Sequence, residues 1–177
     1  MKNSANSNEP RPEWKSHLAD RLPALGHRNW IGVVDSAYPE QTAPGVELVP
    51  TGEDHIRVVE AVLKAVDAAP HIRAITHLDA ELACLDETFA PGIDVLRTRL
   101  ESVLKGQEVK SEPHETIIER IDEAGRQFHV LLLKTNLALP YTSLFLQLEC
   151  GYWSAKAEES LRNAMNARLA DPLKEGK

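Results

Sequence analysis

Apolar residues in this chain come in two alternating rhythms: short unbroken runs, and stripes in which they recur every three or four positions. Ile31, Gly32, Val33 and Val34 form one such run, with the turn formers Gly26 and Asn29 before it and Ser36 and Pro39 after it, which predicts a buried strand. Further strands are predicted over residues 46–49, 71–78, 108–112, 128–134 and 142–150. The stripes predict helices between them. Over residues 13–25, Leu18, Leu22 and Leu25 share a face and Pro23 hastens the end. Over residues 54–67, Ile56, Val59, Leu63 and Val66 make a single apolar stripe. Residues 79–105 read as helical, broken at Ala90-Pro91-Gly92 and resumed with Ile93, Leu96, Leu100 and Leu104. Residues 114–123 carry Ile117, Ile118 and Ile121 at helical spacing, and residues 154–170 open on Ser154 as an N-cap.

Such alternation predicts an α/β fold with a central, mostly parallel sheet flanked by helices. The two apolar strands at 128–134 and 142–150 are joined by residues 135–141, which places that connection at the rim of the sheet core. Residues 1–12, rich in Asn, Ser, Pro and charge, are expected to form a disordered tail, and residues 13–153 a single domain. Residues 154–177 read as an appended helix and tail. Leu161, Met165 and Leu169 give that helix only a narrow apolar stripe, suited to docking on the domain or on a neighbouring subunit. The acidic residues Asp79, Glu81, Asp86 and Glu87 read as a solvated helix face.

Composition narrows the partners. A chain of 177 residues with 42% hydrophobic and 27% charged residues is globular and large enough to bury a core. Its formal net charge of -7, without clustered Lys and Arg, argues against a nucleic-acid partner. No apolar run approaches the roughly 18 to 20 residues that cross a bilayer, and the first residues lack a signal-peptide core, so no membrane partner and a cytoplasmic location are expected. Cys84 and Cys150 read as small buried hydrophobes. The seven histidines are scattered, without HxxxH, HxH or HExxH spacing, so no metal is expected, and there is no GxGxxG or GxxxxGK loop for a nucleotide cofactor.

Candidate chemistry concentrates around the first strand. His27 stands just before it and Asp35 at its far end, and in open α/β sheets ligands collect beyond the carboxyl ends of strands. The plainer alternative is that His27 caps the preceding helix and Asp35 ties down the turn at residues 36–39.

The run Gly26-His27-Arg28-Asn29-Trp30-Ile31-Gly32-Val33-Val34-Asp35-Ser36-Ala37-Tyr38-Pro39 resembles the signature of the ribose pyranase and fucose mutarotase family (RbsD/FucU). A second block, from Leu133-Lys134-Thr135-Asn136-Leu137 through Pro140-Tyr141-Thr142-Ser143 to Leu146, resembles that family's later segment, which runs from a basic residue into Pro-Tyr-x-Asn and an apolar strand. The resemblance covers roughly residues 16–153 and implies that family's layered α/β fold, a free monosaccharide as ligand, no cofactor, and a homo-oligomer. In that assembly sugar sites lie near subunit boundaries, with the His and Asp from one chain and the Tyr segment from a neighbour. It implies His27 and Asp35 as catalytic groups, with Asp35 orienting the His27 ring, and Tyr141, Ser143, Lys134 and His114 as substrate contacts; the plainer alternatives are a snorkelling strand-end lysine for Lys134 and a polar helix-start residue for His114. Trp30, Tyr152 and Trp153 are candidate interface aromatics in such an assembly, with core packing the simpler account of Trp30. Two departures bear on the substrate: Asn136-Leu137 replaces the family's Gly-Glu, and Ser143 replaces its Asn, which trades an amide donor and acceptor for one short hydroxyl. The activity implied is interconversion of a sugar's cyclic forms by general acid and base catalysis. The alternative is a non-catalytic sugar-binding or regulatory oligomer on the same fold.

Overall fold

A computed structural model describes residues 12–170, and the first apolar run lies inside its sheet as β1 (Trp30–Val34), buried at every position. The other strands are β2 (Val46–Pro50), β3 (Ile72–Asp79), β4 (Val109–Glu112), β5 (Val130–Lys134) and β6 (Leu144–Cys150). They form one sheet in the order β2-β5-β1-β6-β3-β4. β1 pairs in parallel with β5, as do β2 with β5 and β3 with β4, whereas β6 runs antiparallel to both β1 and β3. Five strands therefore share one direction, as the sequence pattern predicts, and β6 alone is reversed. That reversal brings the start of β6 to the rim where its neighbours end.

Side chains alternate between two faces along each strand. Ile31, Val33, Leu131, Leu133, Leu144, Leu146 and Leu148 pack beneath α1 (Glu13–Arg21), α2 (His55–Asp67) and α3 (Ile93–Val103). Trp30, Val34, Val130, Leu132 and Phe145 pack beneath α4 (His114–Gln127) through Ile117, Ile121 and Ala124. The stripe predicted on α2 is buried as expected, and the helix is started by Asp54, whose carboxylate accepts the Arg57 N–H at 3.1 Å. Trp30 belongs to this core. The predicted disordered tail falls almost wholly on residues outside those described.

The long helix predicted over 79–105 is a misreading of its first half. Asp79 is the last residue of β3, residues 80–84 form only a 3-10 turn, and α3 starts after Gly92. Asp79 is only 2% exposed, so it lies on no solvated helix face, and Cys84 is exposed rather than buried. A single acidic cluster followed by leucines satisfies helical spacing by count, but the β3 ladder with β4 takes Asp79 first, pairing it with Glu112. Both cysteines are free. Beyond β6, α5 (Ala155–Ala170) is capped by the Ser154 hydroxyl, which accepts the Ala157 N–H at 3.1 Å. Leu161, Met165 and Leu169 stand exposed along it. Among the described residues no helix is long and apolar enough to cross a membrane.

Candidate functional site

The carboxyl ends of β1, β3 and β5 and the amino end of β6 converge on one rim, and polar residues cluster there. Asp35 leaves β1 with both carboxylate oxygens engaged. Oδ1 accepts the Ala37 N–H at 2.8 Å and Oδ2 accepts the Ser143 hydroxyl at 3.2 Å. The bond from Ala37 fills the turn role read from the sequence, and the carboxylate still has acceptor capacity for a ligand hydroxyl. Ser143 is buried just ahead of β6.

Tyr141, in the same connection, has φ of 53°, a left-handed backbone that a tyrosine rarely adopts. Thr142 braces the bend by donating its hydroxyl to the Leu139 carbonyl at 2.8 Å. The bend aims the Tyr141 ring at His114, with centroids 5.4 Å apart and planes at 87°. Such local strain is tolerated where the surroundings over-determine it, commonly at ligand sites.

His114 opens α4 and is held from two directions by the segment that ends β3. Its backbone N–H is shared by the two Glu81 carboxylate oxygens at 3.2 and 3.0 Å, and its ring Nδ1 lies 3.1 Å from Asp79 Oδ2. Burial pushes the Asp79 carboxyl above the ordinary range; the His114 ring opposes the rise, and the Glu81 and Asp35 charges add to it. Behind Asp35 lies His55. Its Nδ1 is 3.0 Å from the Thr135 hydroxyl, which itself donates to the Val34 carbonyl, so the ring is the donor in that pair. Burial lowers the His55 pKa to about 4, against the opposing pull of Asp35 and Asp54. Tyr38 is buried against Phe145, and burial, with the Asp122, Asp79 and Asp35 charges behind it, drives its hydroxyl well above the ordinary phenol range. Among the described residues, no three His, Cys, Asp or Glu side chains are grouped to hold a metal ion.

Three solved structures share this architecture. The Bacillus subtilis RbsD structure in complex with D-ribose matches with a TM-score of 0.56 and 17% identity, over 80% of this chain and 97% of that one. The Streptococcus pneumoniae fucose mutarotase with L-fucose matches at 0.52 and 17%, over 78% and 95%. Bifidobacterium longum FucU matches at 0.50 and 15%, over 76% and 94%. The chain has an RbsD/FucU-like fold. No protein-family model and no curated protein matches it.

Within this RbsD/FucU-like fold, Asp35, Ser143, Tyr141 and His114 come together at one rim. Lys134 ends β5 at the same rim, but its ammonium donates to the Tyr38 carbonyl at 2.7 Å and serves as a structural brace. His27 is elsewhere. It precedes the amino end of β1, where its Nδ1 lies 2.7 Å from Glu149 Oε2 near the end of β6. A strand rises about 3.3 Å per residue, so β1 holds His27 and Asp35 on the order of 17 Å or more apart. The expectation that Asp35 orients the His27 ring is therefore wrong within one chain. Within the chain, Ser143 of the Tyr141 segment is hydrogen-bonded to Asp35, so that segment and Asp35 already share a rim without a second copy. Linear adjacency misled: residues at the two ends of a short strand are near in sequence and far in space.

Asp79, Glu81, Tyr38 and His55 are the residues that sequence reasoning missed. For Asp79 a signal existed in the strand predicted over 71–78, since a carboxylate directly after an apolar strand repeats the placement of Asp35.

Proposed function

We propose that this protein binds a free monosaccharide at the rim formed by Asp35, Ser143, Tyr141 and His114 and interconverts its cyclic forms. The observation that carries the reading is the grouping of those four side chains, drawn from three separate parts of the chain, on an RbsD/FucU-like fold. The two relatives solved with D-ribose and L-fucose supply the ligand class.

Ring opening needs a proton delivered to the ring oxygen and another removed from the anomeric hydroxyl as the bond between anomeric carbon and ring oxygen breaks. Closure reverses these transfers on the other face or through another hydroxyl. In this mechanism His114 and Asp35 exchange those protons, a task for which imidazole suits neutral pH and which a placed acid or base accelerates about a hundredfold to ten-thousandfold. Tyr141 offers a ring face and a hydroxyl to the polyol, and Ser143 holds Asp35. His27 enters only if copies of the chain associate so that the amino end of β1 in one faces the rim of another. The free cysteines fit a reducing compartment such as the cytoplasm.

Saturation-transfer NMR on ribose, fucose and other free sugars tests the reading. Accelerated exchange that is lost in Asp35→Asn and in His114→Gln supports it. Sugar binding without faster exchange points instead to a sensor on the same fold, and neither binding nor exchange across the panel removes the sugar reading.

A further inference from the structure

Asp79 occupies the N-cap position of the 3-10 turn that follows β3, yet its side chain caps nothing there. An Asp in that place ordinarily accepts a backbone N–H of the turn it begins. Here the carboxylate is buried, its Oδ1 has no partner among the described residues, and its Oδ2 reaches instead to the ring of His114, 35 residues further on. A buried carboxylate is costly unless its hydrogen bonds repay it, and an orphaned acceptor oxygen adds to that cost. Nothing in the local turn repays that cost.

His114 is correspondingly over-determined. Glu81 fixes its backbone, Asp79 its Nδ1, and the Tyr141 ring meets it edge-on from the opposite connection. While Asp79 is ionised its oxygens can only accept, so Nδ1 carries a hydrogen and Nε2 is left as the basic nitrogen, on a side chain that is 29% exposed at the rim.

We propose that Asp79 is a positioning residue that holds His114 in the Nδ1–H tautomer and directs Nε2 toward the ligand. The assignment rests on the rim site proposed above, and it names the residue that makes His114 a proton acceptor of fixed direction. A carboxylate that orients a histidine in this way supports function through the ring without touching the ligand. The charged and titratable groups facing the pair are Glu81 from the same turn, Asp35 beyond β1, Tyr38 after it and Tyr141 from the connection before β6.

Imidazole nitrogen NMR, with the His114 signals assigned against His114→Gln, reads the tautomer directly and without sugar. The wild-type protein is expected to show a single Nδ1–H form, and Asp79→Asn a mixture or the Nε2–H form. In sugar exchange, Asp79→Asn is expected to lower kcat about 10- to 100-fold while KM stays within about threefold. A wild-type ring found mainly as Nε2–H overturns the proposal whether or not the variant folds. An unchanged tautomer in a folded Asp79→Asn overturns it too. Failure of the sugar reading is separable: a wild-type Nδ1–H form lost in Asp79→Asn, with no exchange of any sugar, keeps the positioning role and removes the mutarotase.

Discussion

Asp35 and His27 sit beyond opposite ends of the five-residue strand β1, one tied to Ser143 and the other to Glu149. Strand geometry forbids them from acting on one sugar within one chain. If both residues act, two copies must cooperate. Equimolar mixing of His27→Ala and Asp35→Asn chains, unfolded and refolded together, is then expected to restore part of the exchange activity that neither variant has alone. Activity retained in His27→Ala would show that His27 has no part in the chemistry.

His55 makes stability depend on acid. Its folded-state pKa is about 4 against an ordinary value of 6.5, so between those values the unfolded chain binds more protons than the folded one. Stability is therefore full above pH 6.5 and falls as pH drops toward 4, by about 3 kcal/mol from this group. Burial lowers His77 and His129 as well, which adds to the loss below pH 6.5. Asp79, raised by burial, works in the opposite direction, since its folded carboxyl takes a proton before the unfolded one does. Urea unfolding at pH 7 and pH 4.5 is expected to show a smaller acid loss in His55→Asn than in wild type. An equal loss in both would place the acid sensitivity elsewhere.

Gly45 is where α4 meets the start of β2. Its N–H donates to the Gly125 carbonyl and its carbonyl accepts the Val130 N–H, both at 2.9 Å. A Cβ placed there would lie 2.1 Å from the Phe128 carbonyl oxygen and 2.7 Å from that of Gly125, backbone atoms that cannot swing aside. Gly45→Ala is expected to destabilise by about 3 kcal/mol, the upper end for overpacking, read as a lower urea midpoint at unchanged slope. A change below about 0.5 kcal/mol would mean the loop relaxes freely.

The appended helix α5 contributes little to the core: Tyr152 before it and Leu169 near its end are 80% and 77% exposed. A chain ending at Ser154 is expected to unfold within about 0.5 kcal/mol of the full chain. Light scattering on the same pair tests whether α5 serves association, since a fall in mass on truncation would give its Leu161, Met165 and Leu169 stripe a neighbouring copy to cover it.

Much of this molecule was readable in its amino-acid order. Strands β1, β3, β5 and β6 and the stripe on α2 follow from hydrophobic pattern, because burying their apolar residues leaves few alternatives. Asp35 was also legible, since a carboxylate at the end of an apolar run can be placed at a strand rim without knowing its neighbours. Only the tertiary structure decided the rest. Insertion of β6 antiparallel between β1 and β3 brought Ser143 and Tyr141 to Asp35, and pairing of β3 with β4 drew Asp79 into the interior to meet His114. Those meetings join residues 108 and 35 positions apart, and the separation of His27 from Asp35 is equally a matter of strand direction. Hydrophobic patterning fixes which face each residue takes, but the order and direction of strands set which rim it shares.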